Sequence, residues 1–285
     1  MARLDLSPLV PWAAARLGAP LVAVEDVSWD HAASSVARLR TADGRTAYLK
    51  RHAQARKHRQ ERSALERWAV ALPGTPRLLA TTDEPAPALL LSAVPGALVE
   101  GLALDRDDEL AVHHAAGSWL ARLHALPFED DDPVPLHAAL EARLASWTAR
   151  AKGAVAPETA SWVAERLATA EGLAGSRVPC HRDFGPRNWL WDRAAGLGLI
   201  DFEHARPDVR WADVLRLIDG PWLGRADLEE AFWAGYGRRP RPIDRDAVDA
   251  LRALHAIGTV AWGTDHDDAA FADGGRVVLR RLGAA

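Results

Sequence analysis

The stretch His181-Arg182-Asp183-Phe184-Gly185-Pro186-Arg187-Asn188, followed after a short interval by Ile200-Asp201-Phe202-Glu203, lies in a segment from Val178 to Arg206 without helical periodicity. Between its halves, Trp189-Leu190-Trp191 and Leu197-Gly198-Leu199-Ile200 are short apolar runs. The Asp192-Arg193-Ala194-Ala195-Gly196 that separates them has the composition of a turn, so the segment predicts a hairpin. A turn centred between Ala194 and Ala195 sets Asn188 opposite Asp201 at the open end, where cross-strand neighbours lie roughly 5 Å apart. A carboxylate beside an amide oxygen suits a hard cation that keeps several waters and takes its remaining ligands from phosphate oxygens, as Mg²⁺ does. Asp183, on the loop leading into the hairpin, is then placed to accept a proton from a hydroxyl attacking a triphosphate. A single Asn or Asp in a loop is ordinarily a turn cap. Three at this spacing on one hairpin point to phosphoryl transfer.

Outward from this segment the chain changes character near Pro95-Gly96. Before it, residues 21–29, 35–40 and 46–50 read as strands, the last two joined at Asp43-Gly44, and residues 77–81 and 88–92 as two more. One long helix, residues 53–72, ends at Pro73-Gly74. Beyond Gly96, helical spacing fits residues 105–126, 136–151, 157–173, 211–218, 226–236, 244–262 and 267–282. The expectation is an α/β fold of two lobes: a small antiparallel sheet with one helix over residues 1–93, and a larger, mainly helical part over residues 94–285.

The basic residues are nearly all arginine, the only lysines being Lys50, Lys57 and Lys152. Lys50 ends a strand, and a compact point charge suits phosphate. The apolar stripe of the long helix includes Leu65, Trp68 and Leu72, and one turn back from Leu65 it carries Glu61. An inward carboxylate needs a partner, and Lys50 is the natural one. Glu66 falls off that face and is expected in water.

His181 to Asn188 followed by Ile200 to Glu203 resembles the signature of the aminoglycoside phosphotransferase and choline kinase superfamily and, more distantly, of protein kinases. The resemblance implies a two-lobed kinase-like fold, with Asp183 as the catalytic aspartate, Asn188 and Asp201 as metal ligands and His181 as a structural residue of the loop. Trp211-Ala212-Asp213-Val214 resembles the segment in which an aspartate opening a helix bonds back to the catalytic loop. Asp213 is thus a supporting candidate, although an acidic residue in a first helical turn is also favoured by the macrodipole. The resemblance agrees with Lys50 and Glu61 as phosphate-positioning residues. It sets Asp30 to Ser35 over the phosphates, with Ser34 and Ser35 as donors in place of the glycine-rich form, and Ser92, Ala93 and Val94 at the adenine-binding link. The cofactors implied are Mg²⁺ and ATP or GTP.

The acceptor end is less marked. Glu129-Asp130-Asp131-Asp132, and Asp265, Asp267, Asp268 and Asp273 near Trp262, are acidic groups that would attract a polycation such as an aminoglycoside or a basic peptide antibiotic. The plain alternative is a solvated charge run. Glu203 is closer to the chemistry, as an acceptor-amine ligand or a loop-ordering residue. Arg187 is expected to stabilise the transferring phosphoryl group, and Arg182 to pair with a carboxylate. Trp68, Trp119 and Trp162 sit at helical spacing and read as core.

With 285 residues and a formal charge of -4, both signs interspersed, the chain has no basic stripe for nucleic acid. Neither a secretory signal nor a bilayer-length apolar run is legible, and the lone Cys180 agrees with a reducing compartment, so a cytoplasmic monomer or homodimer is expected. The function indicated is a kinase of a small-molecule hydroxyl, on an antibiotic or on choline, homoserine or a sugar. A metal-dependent phosphohydrolase gives Lys50 and Glu61 no task, and a nucleotide-binding scaffold has no need of Asp183. A protein kinase would need a longer activation segment after Asp201.

Overall fold

The computed structural model describes residues 3–29, 34–173, 175 and 177–284. Its strands are β1 (Leu21–Asp26), β2 (Ser34–Thr41), β3 (Thr46–His52), β4 (Leu78–Thr82), β5 (Ala88–Ser92), β6 (Ala97–Leu98), β7 (Val178–Cys180), β8 (Trp189–Asp192), β9 (Gly196–Leu199) and β10 (Arg206–Asp208). Its α-helices are α1 (Val10–Leu17), α2 (Ala55–Arg67), α3 (Arg106–His124), α4 (Leu136–Arg150), α5 (Pro157–Thr169), α6 (Leu215–Ile218), α7 (Ala226–Tyr236), α8 (Pro242–Asp265) and α9 (Ala269–Arg281).

The first five strands form one antiparallel sheet in the order β1-β2-β3-β5-β4. Alternation along β5 covers it on both sides. Ala88 and Leu90 join Leu9, Ala13 and Leu17 of the α1 region, while Leu89 and Leu91 join Ala64, Leu65 and Trp68 of the α2 region. Each leucine so buried contributes roughly 1.5–3 kcal/mol. Helix α1, absent from the sequence reading, supplies the layer that makes β5 apolar on both faces.

Helix α2 is shorter than its apolar spacing suggested. His58, Glu61, Ala64 and Leu65 form its buried face, and regular helix stops at Arg67. A 3₁₀ turn, Ala69–Ala71, follows, and Thr75 Oγ1 donates to the Ala69 and Leu72 carbonyls at 2.7 and 3.0 Å. That hydroxyl takes over bonds that continued helix would supply.

After Ser92 the link to the helices crosses the back of the predicted hairpin, β8–β9, and adds β6 as its third strand. The crossing needs small residues. Gly96 has φ +110 with the Trp191 backbone against it, and a Cβ on Gly198 would lie 2.4 Å from Val94 Cγ1. Among the helices, α8 packs against α9, α4 and α5, and α3 packs against α7. No helix among the described residues is long and apolar enough to cross a membrane.

Candidate active site

The hairpin register differs by one residue from the expected one. Trp189 pairs with Leu199 and Asp192 with Gly196, so Asn188 opposes Ile200, whose N–H donates to the Asn188 carbonyl at 3.0 Å. Asp192 Oδ1 accepts the N–H groups of both Ala194 and Ala195 at 2.8 Å, which tightens the turn around Ala194. A one-residue shift ordinarily turns a side chain to the other face. Asp201 lies just past the strand with φ +65, which breaks the strand alternation, and its Oδ1 meets Lys50 Nζ at 2.7 Å.

Lys50 is the centre of the first cluster. Its Nζ lies 2.8 Å from Glu61 Oε2, 2.7 Å from Asp201 Oδ1 and 3.1 Å from Glu203 Oε2, with only 6% of the side chain exposed. Burial works against the ammonium, and Asp201, Glu61 and Glu203 more than offset it, holding the Lys50 pKa well above the ordinary lysine range. Glu61 also bonds His52 Nε2 at 2.7 Å and accepts the Phe202 N–H at 3.2 Å, so α2 is tied directly to the segment carrying Asp201.

Asp183 is the centre of the second cluster. Its carboxylate is 1% exposed; Oδ2 accepts from Arg187 Nη2 and, at 2.9 Å, from Asn188 Nδ2. Arg216 Nε lies 2.9 Å from Oδ1, yet the N–H is not directed at it, leaving Oδ1 and Arg216 Nε without a hydrogen bond among the described residues. Burial alone would raise the Asp183 pKa, but Arg216 and Arg187 bring it below the usual carboxylate range. Both Asn188 amide hydrogens are committed, to Asp183 Oδ2 and to the Asp183 carbonyl at 2.8 Å, so its oxygen remains as the acceptor.

The loop between them is bent by Asp213. This buried carboxylate accepts the His181 N–H at 3.0 Å and the Arg182 N–H, and also bonds His124 Nε2 at 3.0 Å. Arg182 thereby takes φ +64, a conformation that costs a non-glycine residue roughly 1–2 kcal/mol. His181 Nδ1 accepts the Asp183 N–H at 3.3 Å and its Nε2 donates to the Ile200 carbonyl at 3.0 Å, the pattern of a neutral ring. Burial lowers its pKa accordingly.

Other expected site residues are placed differently. Ser34 and Ser35 belong to β2: the Ser34 hydroxyl donates to Glu203 Oε2 at 3.2 Å and Ser35 Oγ accepts the Leu4 N–H at 2.8 Å. The strand begins earlier than expected, so neither hydroxyl is on a loop; Asp30 to Ala33 lie outside the described residues. Ser92 Oγ accepts the Arg77 N–H at 2.9 Å, a strand-end contact, and Val94 packs at Gly198 with Ala93 between them. Glu203, expected as an acceptor-amine ligand or a loop-ordering residue, pairs with Lys50 at 3.1 Å.

Several of the carboxylates that suggested a polycationic acceptor have partners within the protein. Asp265 pairs with Arg150 at 2.9 Å and Lys152 at 3.3 Å, Asp268 caps α9 through the Phe271 N–H at 2.9 Å, and Asp267 forms the left-handed turn between them. Asp130 pairs with Arg177 at 3.0 Å.

Sequence reasoning passed over Arg216, which nothing distinguishes from other arginines on a short helix. It passed over Lys57 as well, although lysine is scarce here. Lys57 Nζ lies 2.8 Å from His204 Nδ1 and donates to the Glu203 carbonyl at 3.2 Å, and burial lowers its pKa to about 8.

A sheet-and-helix lobe joined to a helical lobe, with the chemistry-bearing hairpin against the link, defines a two-lobed, kinase-like fold. The chain belongs to the phosphotransferase enzyme family, whose profile matches residues 27–254. Among solved structures it is similar to the macrolide 2'-phosphotransferase MphH from Brachybacterium faecium, with 20% identity over 96% of this chain and 97% of that one and a TM-score of 0.66. A thermostable mutant of the aminoglycoside phosphotransferase APH(4)-Ia, in a ternary complex with ADP and hygromycin B, matches at 16% identity over 96% and 98% with a TM-score of 0.73. The aminoglycoside phosphotransferase APH(3'')-Id from Streptomyces rimosus matches at 22% over 90% and 99% with a TM-score of 0.62. The comparison with curated proteins gave no match.

Proposed function

We propose that this chain transfers the γ-phosphoryl group of ATP or GTP to a hydroxyl of a small molecule, between two lobes that divide at about Ala93. The observation that carries the reading is the buried Asp183 Oδ1, which pairs with Arg216 Nε at 2.9 Å but accepts no directed hydrogen bond among the described residues, on a carboxyl group otherwise fixed by Asn188 and Arg187.

The donor set fits a hard cation: the Asp201 carboxylate and the oxygen of an Asn188 amide whose orientation is fixed by its two donated bonds. Mg²⁺ held by these two residues would supply neutralising charge to the triphosphate oxygens. Lys50, positioned by Glu61, reaches the α- and β-phosphates, and Arg187 and Arg216 lie where charge spreads over the transferring group. The acceptor oxygen bonds to the γ-phosphorus as the bond from that phosphorus to the β-γ bridging oxygen breaks. The nucleoside diphosphate leaves, and the acceptor proton passes to Asp183 Oδ1. With its pKa held down, Asp183 is a weak base, which suits a loose transition state where the hydroxyl is oriented first and gives up its proton late.

The test is release of nucleoside diphosphate from Mg·ATP and Mg·GTP across a panel of alcohols, with Asp183→Asn beside the wild type. Acceptor-dependent turnover should fall about 10²–10⁴-fold in the variant while calorimetric Mg·nucleotide affinity is retained. Equal turnover in the variant, or a wild type that binds neither nucleotide, overturns the reading.

A further inference from the structure

Next to Asp183 the protein gathers more positive charge than it neutralises. Asp208 of β10 is fully buried, and its Oδ2 lies 2.9 Å from Arg143 Nη2 of α4 and 2.8 Å from Arg182 Nε on the catalytic loop. Its Oδ1 accepts the Val209 N–H at 2.9 Å. Arg206, two residues before Asp208 on the same strand, shares its face and pairs in the ladder with Cys180. Among the described residues Arg206 has no carboxylate within ion-pair distance.

Two guanidinium groups thus hold one carboxylate, and a third lies on the same strand face without a carboxylate of its own. The Arg182 Nε–H is not directed at Asp208, so it too lacks a hydrogen bond among the described residues. Burial, then Arg182 and Arg143, lower the Arg206 pKa to about 9, against an opposing effect of Asp208. The excess extends toward the reacting group: burial lowers the Arg216 pKa, and Arg187 and Arg182 add to this against Asp183, which Arg216 faces. A purely structural ion-pair network has no reason to leave half-buried guanidinium groups unmatched, because uncompensated buried charge is costly. A ligand that brings two or three oxyanion oxygens removes the cost, and the planar arginine fork matches carboxylate and phosphate geometry.

We propose that the acceptor is an alcohol bearing a phosphate or a carboxylate, seated on Arg143, Arg182 and Arg206 so that its hydroxyl reaches Asp183. This rests on the kinase reading above and narrows its acceptor to an anionic one.

The test titrates inorganic phosphate and D-glycerate into the full chain by calorimetry, with and without saturating Mg·AMP-PNP to fill the triphosphate site, for the wild type and Arg206→Gln. At least one anion should bind the nucleotide-loaded wild type, and Arg206→Gln should weaken it about tenfold or more with Mg·AMP-PNP affinity unchanged. Tighter phosphate identifies a phosphorylated acceptor, and tighter D-glycerate a hydroxy acid. Turnover should then follow the same order, with glycerol 3-phosphate against glycerol, or D-glycerate against its amide. The proposal is overturned if neither anion binds, if Arg206→Gln binds them as the wild type does, or if neutral or cationic alcohols turn over undiminished in the variant. A wild type that binds the anion but no Mg·nucleotide would instead defeat the kinase reading alone.

Discussion

At one end of the site a single ammonium, Lys50, is held by Glu61, Asp201 and Glu203; at the other a single carboxylate, Asp208, is held by Arg143 and Arg182 with Arg206 beside them. Each end carries an excess of one sign, and the signs are opposite. The acidic excess at Lys50 suits a divalent cation, and the basic excess at Asp208 suits an anion. Asp183 lies between, its carboxylate set by arginines and by the amide of Asn188. The difference also separates what removing a charge should do. Lys50 holds together groups that repel one another, whereas Arg206 is itself one of the repelling groups.

The largest effect should come from breaking the Lys50 end. Lys50→Met leaves three carboxylates facing one another around an apolar side chain, and loss of one partner of a buried pair typically costs about 3–5 kcal/mol. Denaturant unfolding should show that loss together with loss of Mg·nucleotide binding. Arg206→Gln, measured without ligand by thermal unfolding, should move the other way and raise the melting temperature by on the order of 2 °C. Two variants that lower stability alike would erase the contrast between the ends.

A smaller effect concerns His255 on α8, which lies against the arginines. Burial, then Arg216 and Arg182, lower its pKa from 6.5 to about 3. The unfolded chain therefore takes up a proton between these values that the folded protein refuses, so stability falls as the pH drops below 6.5. His255→Gln should remove that component, gaining on the wild type by at most about 1.4 kcal/mol per pH unit. Parallel acid-unfolding curves for the two proteins would place His255 away from the arginine cluster.

These contrasts were unevenly legible in the sequence. The Lys50 end depends on chain-local signals: a scarce lysine at a strand end, a carboxylate one turn back from Leu65 on an apolar stripe, and a hairpin flanked by Asn188 and Asp201. Helical and strand periodicity therefore placed most elements, though the turn at Asp192 tightened by one residue and moved Asp201 off the strand. The Asp208 end depends on β7 meeting β10 and on α4 approaching β10, so that Asp208 meets Arg143 from 65 residues away and Arg182 from 26. In a chain that uses arginine for nearly every basic position, no one arginine stands out. The acidic runs did stand out, but for the reason charge runs usually do, since they cap helices and pair with neighbours in solvent.

The smallest effect is the sharpest control, because it sets two carboxylates of one helix against each other. Glu61 is 1% exposed and bonds Lys50, His52 and the Phe202 N–H, whereas Glu66, 46% exposed, bonds Arg62 across one turn at 2.9 Å. An exposed pair at this spacing contributes about 0.3–0.5 kcal/mol, and alanine recovers part of that through its better helix propensity. Glu66→Ala should therefore leave stability within about 0.5 kcal/mol of the wild type and nucleotide affinity unchanged. A loss above about 1 kcal/mol would mean that the outer face of α2 contributes to the fold, and that burial does not separate the two carboxylates as their contacts indicate.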